Sequence, residues 1–418
     1  MILHLPLFCV FYDYNFRKGK ANRFVFVETK MQKVAVSNIA KQIRGVSYKP
    51  VDLHNDLNKD SVILLRANNI SDGKINFDDL VYVDKKKVSS EQYLQKGDIL
   101  ICASSGSKNL VGKAASVSFD IKCTFGAFCK VIRPISKYAN YLGMYFQSDI
   151  YRRIISNVAI GANINNIRNE HIDSLELSIY SDDKNNEIVS LLDTLQSIIT
   201  HRRTQLEKLD LLVKARFVEM FGDPIENPHK YPMIKYGDLF ELNAGGTPSK
   251  AKPEYWENGT ISWIGSNMCQ NTIIYENDGK YITQQGYDNS SAKMFPVDTV
   301  LIALVGATIG KTALLKFETS TNQNILGVRG IAKAGYNPLF VYYYTQFLYS
   351  KFMNIGDGGF NMASKSFVSE LPMYEIDIYK QSLFADFAEK TDKSKSILQQ
   401  ELDKAQMLFD SLMQEYFG

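Results

Sequence analysis

The chain has 418 residues, 45% of them hydrophobic, so it can bury sizeable cores and is expected to form two or three domains. A net charge of only +3 excludes a protein that coats nucleic acid through bulk positive charge. The charge is uneven, since residues 1–222 hold 31 basic and 23 acidic residues, and residues 223–418 hold 17 and 22. Any contact with nucleic acid must therefore come from local patches.

The first segment, MILHLPLFCVFYDY, is apolar but too short to span a bilayer, and it lacks the positive lead and cleavage site of a signal peptide. Met31, in TKMQKVAVSNIA, is a candidate start of the folded protein, which makes residues 1–31 an extension. The five cysteines form no C-x-x-C pair and have no zinc-like spacing with the five histidines. These features predict a reduced, cytoplasmic protein with no membrane span and no structural metal.

The first half of the chain begins with short β-type runs and ends in a helical region. DILICASS (Asp98–Ser105) and VGKAASV (Val111–Val117) predict two strands around a glycine turn, and YLGMYFQSDIYRRIIS (Tyr141–Ser156) predicts helix. Between Asn186 and Phe221, apolar residues recur every seven positions, as in a helix that packs along another helix. The positions of this first seam are Leu192, Leu195, Ile199, Leu206, Leu209, Val213 and Met220.

The second half follows the same order. TVLIAL and GKTALL predict two strands around a glycine turn, and FVYYYTQFLYSKFMN predicts helix. A second heptad seam ends the chain, at positions Leu398, Leu402, Ala405, Phe409, Leu412 and Tyr416. Arg202 and Arg216 interrupt the first seam, but two such helices, each ending one half, favour pairing with each other over packing on separate domains.

An internal repeat relates the two halves, because four aligned blocks share a shift of 196 to 198 residues. The blocks are Leu64–Ile70 with Trp263–Met268, Val111–Val117 with Ile309–Leu315, Gly161–Tyr180 with Gly358–Asp377, and Gln205–Gly222 with Glu401–Gly418. The fold is predicted to be α+β, a tandem duplication of a mixed α/β unit that ends in a long helix. Each helix would span roughly 50 Å, a reach that suits two recognition heads on a bipartite DNA site.

LVGATIGKTALL (Leu304–Leu315) raises an alternative, since it resembles a phosphate-binding loop. The pattern G-x-x-x-x-G-K-[ST] requires a glycine at position 305, where the chain has Val305 and the glycine follows one residue later. The segment also reads as strand, turn and strand, whereas a phosphate cradle leads from a strand into a helix. A nucleotide-dependent enzyme using Gly310, Lys311 and Thr312 stays as the alternative, and it predicts ATP binding that is lost on Lys311→Ala.

A family resemblance begins at GGTPSKAKPEYWENGTISWIGSNM (Gly245–Met268). Together with LVGATIGKTALL and the terminal DKSKSILQQELDKAQMLFDSLMQEYFG, this run resembles the specificity subunit of type I restriction-modification enzymes. The resemblance extends over residues 32–418. The first half departs from it, because QIRGVSYKPVDL stands where the second half has NAGGTPSKAKPEYW.

The resemblance implies a DNA-reading subunit without catalytic activity of its own. Two target-recognition domains would each read one half of an asymmetric bipartite site on double-stranded DNA. Two antiparallel spacer helices would set the gap between the half-sites and dock the modification subunits. The implied partners are two modification subunits, which bind S-adenosylmethionine and methylate adenine, and two restriction subunits, which use ATP and Mg and cut DNA. No cofactor is expected on this chain.

The repeat and the resemblance together divide the chain into five segments. They are an N-terminal extension (residues 1–31), a first target-recognition domain (32–185), a first spacer helix (186–222), a second target-recognition domain (223–378) and a second spacer helix (379–418).

Candidate DNA contacts are the polar and cationic residues of the loops, because such side chains can reach bases or phosphates. In the first domain they are Arg44, Ser47, Lys49, Lys108, Lys113, Asn163, Asn165 and Arg168. In the second domain they are Thr247, Ser249, Lys250, Lys252, Lys311, Asn361 and Lys365. Solvated loop residues have the same composition, so each position has that alternative. Tyr255, Trp256 and Trp263 are expected in the core rather than as stacking platforms.

Catalytic patterns are weak. NPLF (Asn337–Phe340) differs at Leu339 from the N-P-P-[YF] pattern that resembles adenine methyltransferases. Carboxylates such as Asp298 and Glu318 have no nuclease-like spacing to a lysine, and the histidines lie far apart in sequence. We expect no turnover by the isolated chain.

Overall fold

The computed structural model describes residues 31–71, 73–107, 109–158, 165–355 and 362–418. Two compact units divide the chain, one running up to Leu195 and including Leu408–Gly418, the other being Gln196–Met407. Of the predicted extension at residues 1–31, all but Met31 lies outside the described residues.

The described part of the first unit consists of short strands, three short helices and the beginning of a long helix. The strands are β1 (Gln32–Ala35), β2 (Ala40–Arg44), β3 (Leu53–His54), β4 (Ser61–Leu65), β5 (Ile70–Ser71), β6 (Lys74–Ile75), β7 (Val81–Asp84), β8 (Ile99–Cys102), β9 (Ser104–Ser105), β10 (Ala114–Ser116), β11 (Cys123–Phe125), β12 (Cys129–Pro134), β13 (Asn165–Asn166) and β14 (Glu176–Ile179). The helices are α1 (Ala139–Gln147), α2 (Asp149–Val158), α3 (Asn169–Asp173) and the start of α4 (Asp182–Phe221).

The strands of the first unit form two main sheets. One sheet has the antiparallel order β2–β12–β8–β10, and the other has the order β3–β7–β4–β11 with β11 parallel to β4. Strands β4 and β8 are buried along their whole length, which explains why they read as continuous apolar runs rather than as alternating ones. Strand β1 pairs with β14, so the two ends of the domain meet.

The second unit repeats this composition. Its strands are β15 (Met233–Lys235), β16 (Glu241–Ala244), β17 (Ile261–Ile264), β18 (Thr272–Ile274), β19 (Tyr281–Ile282), β20 (Met294–Phe295), β21 (Val300–Ala303), β22 (Thr312–Leu315), β23 (Thr319–Thr321), β24 (Ile325–Arg329) and β25 (Pro372–Tyr374). Its helices are α5 (Tyr236–Leu239), α6 (Gln284–Asp288), α7 (Pro338–Phe347), α8 (Tyr349–Met353), α9 (Lys365–Ser369) and most of α10 (Ile378–Phe417).

The sheet topology of the second unit resembles that of the first and shares its central strand pairings. The order β16–β24–β21–β22 corresponds to β2–β12–β8–β10, with β18 added at the edge, parallel to β22. The order β19–β17–β23–β20 contains a parallel pair, β17 with β23, as β4 and β11 do. Strand β15 pairs with β25, as β1 does with β14. This repeated topology supports the tandem duplication predicted from the sequence.

Local sequence accounts for the ends of two helices. Gly222, at φ +73°, follows α4, and its N–H donates to the Val218 carbonyl at 2.8 Å, so a residue without a Cβ closes the helix. At the start of α7, the Asn337 side chain accepts from the N–H groups of Leu339 (2.9 Å) and Phe340 (3.4 Å). The NPLF segment is therefore a capped helix N-terminus.

The long helices α4 and α10 pair antiparallel in the second unit. Arg202 and Glu401 form an ion pair at 2.9 Å, and Asp210 and Lys395 form one at 2.6 Å, so rising numbers in α4 meet falling numbers in α10. The rings of Phe217 and Phe384 extend this order, 5.1 Å apart. The antiparallel pairing is confirmed, and Arg202, which interrupts the heptad seam, is part of it.

The predicted seam residues differ in burial. Leu192, Leu195, Ile199, Val213 and Leu402 are buried, whereas Leu206, Leu209, Leu398, Phe409 and Leu412 are partly exposed. Within the first unit, Leu192 belongs to the same apolar cluster as Met413 and Phe417. Within the second unit, Val213 joins Phe217 and Phe221 in the core.

Candidate nucleic-acid interface

A cleft of about 510 Å³ opens on the surface of the first unit, beside the end of β2 and the turn between β11 and β12. We call it the first-unit cleft. The strand register explains why its walls meet, because Lys130 of β12 lies opposite Arg44 of β2, and Ile167 N–H donates to the Ala103 carbonyl at 2.8 Å. Its lining residues are Gln42, Ile43, Arg44, Ala103, Ser104, Ala127, Phe128, Lys130, Asn166, Ile167, Arg168 and Asn169.

Hydrogen bonds fix the polar wall of the first-unit cleft. Lys130 Nζ donates to Asn169 Oδ1 at 2.6 Å and to Gln42 Oε1 at 3.3 Å. The Gln42 amide in turn donates to Asp173 Oδ1 at 2.8 Å and to the Asn169 carbonyl at 2.9 Å. The side chains of strand β2, strand β12 and helix α3 are thus held in one network.

Among the described residues that line the first-unit cleft, three are cations, namely Arg44, Lys130 and Arg168. Burial lowers the pKa of Lys130. The nearby charges of Asp173 and Glu170 oppose that shift, and the charge of Arg44 adds to it. Arg44 and Arg168 are exposed, and Arg168 lies 3.6 Å from Glu170 in a solvent-exposed ion pair. Because surface pairs of this kind are weak, the guanidinium group of Arg168 can exchange its partner for an incoming anion.

The chemistry of the first-unit cleft suits a nucleic acid. Guanidinium groups bind phosphate oxygens through two parallel hydrogen bonds, and amide side chains pair with base edges. Arg44 and Arg168 supply the first kind of group, and Asn166, exposed on β13, supplies the second. The structure therefore brings two of the predicted contacts, Arg44 and Arg168, together in one site.

The other predicted contacts of the first domain lie elsewhere. Ser47 and Lys49 follow β2 on the way to a 3-10 helix at Pro50–Asp52, and Lys113 directly precedes β10. These three are absent from the described lining of the first-unit cleft. Lys108 and Asn163 lie outside the described residues, as does the side chain of Asn165.

In the second unit, two tryptophans hold the predicted signature loop in place. Trp263 Nε1 donates to the Gly246 carbonyl at 3.0 Å, and Trp256 Nε1 donates to the Ser249 carbonyl at 3.2 Å. Their rings meet edge to face, 5.1 Å apart. Tyr255 and Trp263 are buried, as predicted for core residues, whereas Trp256 is partly exposed.

The signature loop presents polar side chains from this fixed backbone. Ser249 and Lys250 are exposed. Lys252 Nζ donates to the Tyr255 hydroxyl at 2.9 Å, and the Thr247 hydroxyl donates to the Gln323 side chain. Lys250 is therefore the member of this group that presents its charge most freely.

Lys311 lies in the connection between the antiparallel strands β21 and β22. Its Nζ donates to Gln270 Oε1 at 2.7 Å. Gly310 has a φ of +73°, as expected for a turn residue, and Gly306 has a φ of +69°. Because strand β22 follows Lys311, this loop does not lead into a helix as a phosphate cradle does, and the structure gives the nucleotide-dependent alternative no support.

Lys365 is the first residue of α9 and is exposed. Its segment runs beside the Lys311 loop, because Ala363 N–H donates to the Leu304 carbonyl at 2.8 Å and Met362 bridges to Val305. Asn361 lies outside the described residues. In the first unit, β13 and β9 make the corresponding contact next to the cleft.

Sequence reasoning missed Gln42, Phe128, Lys130, Asn166 and Asn169. Lys130 meets Arg44 only through the pairing of β2 with β12, and Asn169 reaches Gln42 across more than a hundred residues. No local pattern marks these positions, so only the strand register could have identified them.

The second unit contains a further cleft of about 660 Å³ between residues 270–275 and the long helices. Lys395 Nζ lies 2.6 Å from Asp210 Oδ1 and 3.4 Å from Asp392 Oδ1, and the Tyr343 hydroxyl donates to Asp392 at 3.4 Å. Burial raises the pKa of Asp392, and Lys395 opposes that shift. These charges are satisfied within the protein, so the cluster is structural.

Within the described ranges, no three His, Cys, Asp or Glu side chains are grouped as metal ligands would be. No described helix is both long enough and apolar enough to cross a membrane. Cys102, Cys123, Cys129 and Cys269 are buried and carry free thiols.

Comparison with known proteins identifies the family. The family model described as type I restriction modification DNA specificity domain matches residues 31–209 and 228–406. The type I restriction enzyme StySPI specificity subunit of Salmonella potsdam is 39% identical over 180 residues, which cover 43% of this chain and 39% of that protein. The type I restriction enzyme EcoKI specificity subunit of Escherichia coli strain K12 is 38% identical over 180 residues, which again cover 43% of this chain and 39% of that protein. The chain thus spans about two fifths of the length of these relatives.

Two solved structures share the fold. The S subunit of a type I restriction-modification system from M. genitalium has a TM-score of 0.57 at 13% identity, covering 96% of this chain and 98% of that one. A chain from a structure on complex assembly and conformational transition of the type I R-M system has a TM-score of 0.54 at 13% identity, covering 94% and 99%. With two domain matches that together cover most of its length, this chain belongs to the type I restriction modification DNA specificity domain family.

Proposed function

We propose that this chain is the DNA-reading specificity subunit of a type I restriction-modification complex and that it has no catalytic activity of its own. Its target-recognition domains, residues 32–185 and 223–378, each read one half of an asymmetric bipartite site on double-stranded DNA. The observation that carries this proposal is the specificity-domain topology, present twice in one chain. Two copies whose loops differ, on a shared framework, are what the reading of two different half-sites requires.

The first half-site is read at the first-unit cleft, with Arg44, Lys130 and Arg168 facing the DNA. Support comes from the grouping of these cations with exposed amide groups. Ser47, Lys49 and Lys113, outside the cleft, are flanking contacts. Lys108, Asn163 and Asn165 are proposed from the sequence alone.

The second half-site is read by the signature loop and the neighbouring hairpin. Thr247, Ser249, Lys250 and Lys252 come from the loop, Lys311 from the hairpin and Lys365 from α9. The hydrogen bonds of Trp256 and Trp263 to the loop backbone support this role, because a reading loop must be held in one conformation. Asn361 is proposed from the sequence alone.

The spacer helices, residues 186–222 and 379–418, set the gap between the half-sites and dock two modification subunits. The ion pairs Arg202–Glu401 and Asp210–Lys395 support a helix pair of defined register. Two restriction subunits complete the assembly. S-adenosylmethionine, ATP and Mg are bound by these partner subunits. We place the complex in the bacterial cytoplasm, where the four described free thiols would stay reduced.

Single-molecule sequencing of DNA from cells that express this chain with its modification subunit tests the proposal. We expect methylated adenines within a single bipartite motif of fixed gap. Cells that express the modification subunit without this chain are the control and should lack the motif. An intact complex by gel filtration that leaves no methylated motif would contradict the proposed function.

A further inference from the structure

Phe128 presents its ring to solvent from the turn between β11 and β12, with 67% of the residue exposed. It is among the most exposed large apolar side chains of the described residues. The ring lines the first-unit cleft, alongside Arg44, Lys130 and Arg168. Covering an exposed phenyl ring with an apolar surface is favourable. Because cations surround this ring, the best fit is an apolar surface that is flanked by negative charge.

The backbone of this turn is fixed although the side chain is free. The Phe128 carbonyl accepts from the N–H groups of Ala103 (2.9 Å) and Ser104 (3.0 Å), and Cys129 N–H donates to the Gly126 carbonyl at 2.8 Å. The ring is therefore held out from a rigid support. Because this backbone is already ordered, a ligand that binds here costs little backbone conformational entropy.

The second unit shows that the framework does not require a phenyl ring here. Leu304 N–H donates to the Asn324 carbonyl at 2.8 Å. This hydrogen bond corresponds to the one from Ala103 N–H to the Phe128 carbonyl in the first unit. Asn324 precedes Ile325 in β24, as Phe128 precedes Cys129 in β12, and both strands pair with the corresponding neighbour. The two domains thus carry different side chains at one position of a shared framework, as expected where two half-sites are told apart.

We propose that Phe128 is a base-contacting, specificity-determining residue, whose ring packs against a base of the half-site read by residues 32–185. This inference rests on the proposed function. Duplex DNA fits the site because its phosphates match Arg44 and Arg168, and its major groove exposes the apolar thymine methyl groups. A base face offers a second apolar surface where a base step is unstacked. The ring contacts one of these two surfaces while the cations hold the flanking backbone.

The test uses the full chain in complex with its modification subunits. Phe128→Ala and Phe128→Asn, the latter introducing the residue of the second unit, are compared with the unaltered complex by fluorescence anisotropy at one salt concentration. The probes are a duplex with the methylated motif and duplexes whose first half-site is changed one base pair at a time. Ile135→Asn is the matched control, because Ile135 is exposed, flanks the other end of β12 and lies outside the first-unit cleft.

We expect both Phe128 variants to bind the motif duplex roughly 5- to 150-fold more weakly. A duplex changed at the base pair that the ring contacts should be bound equally weakly by the unaltered complex and by the variants. Ile135→Asn should match the unaltered complex on every duplex. An unchanged preference for the motif in both Phe128 variants, or an equal loss on all duplexes, would overturn the proposal while the proposed function stands. If the unaltered complex preferred no methylated motif, both the proposed function and the role of Phe128 would be overturned. Thermal unfolding of each variant checks that the fold is retained. We expect no change in the unfolding temperature, because the exposed ring of Phe128 contributes little to the core.

Two further probes identify the surface that the ring contacts. If the ring packs against a thymine methyl, replacing a single thymine of the first half-site by uracil reproduces the loss, and Phe128→Leu retains most of the binding. If the ring stacks on a base face, it does so at an unstacked step, and the cost of unstacking depends on the base sequence of that step. In that case no uracil replacement matters and Phe128→Leu binds as weakly as Phe128→Ala. Either result supports direct contact with a base.

Discussion

Gly45 and Gly245 occupy the same place, directly after β2 and β16, although the sequences around them differ. A Cβ on Gly45 would lie 2.1 Å from the Gly126 carbonyl oxygen. A Cβ on Gly245 would lie 2.1 Å from the Thr321 hydroxyl and 2.5 Å from the Asn322 carbonyl oxygen. Glycine is thus retained at this position in both domains because the neighbouring chain leaves no room for a side chain.

Gly245→Ala is expected to destabilise the second unit by at least about 2 kcal/mol, because backbone atoms must move to admit the methyl group. Gly306→Ala is the control, since φ is +69° there but no atom lies within 4 Å of the added Cβ, and it should cost only about 1 kcal/mol. Both tryptophans of the chain, Trp256 and Trp263, belong to this unit, so urea unfolding followed by tryptophan fluorescence reports on it selectively. Equal costs for the two variants would show that close backbone approach is not the reason for Gly245.

Arg44→Ala and Arg168→Ala are each expected to weaken DNA binding by the complex to a similar extent on all sequences. Each lost phosphate contact should reduce the slope of log binding constant against log salt by about one. The measurement is a salt titration of binding on a motif duplex and on an unrelated duplex. Arg153→Ala removes the same charge from an exposed position on α2, away from the first-unit cleft, and should leave the slope unchanged. A loss confined to the motif duplex would assign the altered arginine to a base instead.

At the residue scale, what the sequence reveals depends on whether contacts are local. Arg44 and Arg168 are cations in loop-flanking positions, and the composition of their segments is enough to nominate them. Lys130 and Phe128 belong to one end of a strand, and they join the site because β12 pairs with β2 and β8. Pairing between distant strands is set by the whole sheet, which no short window of sequence contains.

At the element scale, the glycine turn of the second half was predictable. The strand–turn–strand pattern of residues 299–315 is confirmed as the antiparallel pair β21 and β22. The helical run from Tyr141 is confirmed but interrupted, because Ser148 separates α1 from α2 and its hydroxyl accepts from Tyr151 N–H at 3.1 Å. Side-chain capping of this kind depends on one hydroxyl group, and it is easily missed within an apolar helical pattern.

The heptad pattern predicted that the long helices pair, and polar contacts complete the pairing. Leu206 and Leu209, central in the predicted seam, are partly exposed, while Arg202 and Asp210 form ion pairs with α10. Heptad spacing registers apolar residues only. The cross-helix ion pairs require the partner helix to be known, so the sequence could not supply them.

Lys395→Met tests the ion-pair cluster that joins α4 to α10. Lys395 has 27% of its side chain exposed and Asp392 has 14%, so removing the cation leaves a largely buried carboxylate without its ion partner. We expect a loss of about 2 kcal/mol at pH 7, below the cost of breaking a fully buried pair. Lys393→Met, two residues away at a 73% exposed side chain, is the control and should not change the unfolding midpoint in urea.

The loss in free energy of unfolding caused by Lys395→Met should depend on pH in a defined direction. Burial raises the pKa of Asp392, so its contribution to stability is complete below the ordinary aspartate pKa and is lost as pH rises through the raised value. Removing Lys395 takes away a group that opposes this shift, so the pKa of Asp392 rises further in the variant. The stability difference between variant and unaltered protein should therefore shrink towards acidic pH. A deficit that is constant with pH would mean that lost packing, and not the unpaired charge, is responsible.

At the scale of the whole molecule, each unit has apolar clusters of its own, and the first unit's main cluster draws on both long helices. That cluster includes Ile188 and Leu192 of α4 together with Met413 and Phe417 of α10. The domain limits predicted from the sequence, residues 32–185, exclude all four. A reading domain defined by the repeat is thus smaller than the core that stabilises it.

Exchange of the first domain for that of a relative with a different motif tests whether this domain reads its half-site independently. It also tests whether the ends of the long helices belong to its core. A chimaera that replaces residues 32–185 should change one half of the methylated motif and leave the other half and the gap as they were. A second chimaera that also replaces residues 186–195 and 408–418 should read the same new half-site but unfold at a higher temperature, because its core residues come from one protein. Replacement of residues 223–378 is the matched control and should change only the other half. Were both halves to change with the first exchange, the two domains would not read DNA independently; were the two chimaeras equally stable, the helix ends would contribute little to the first core.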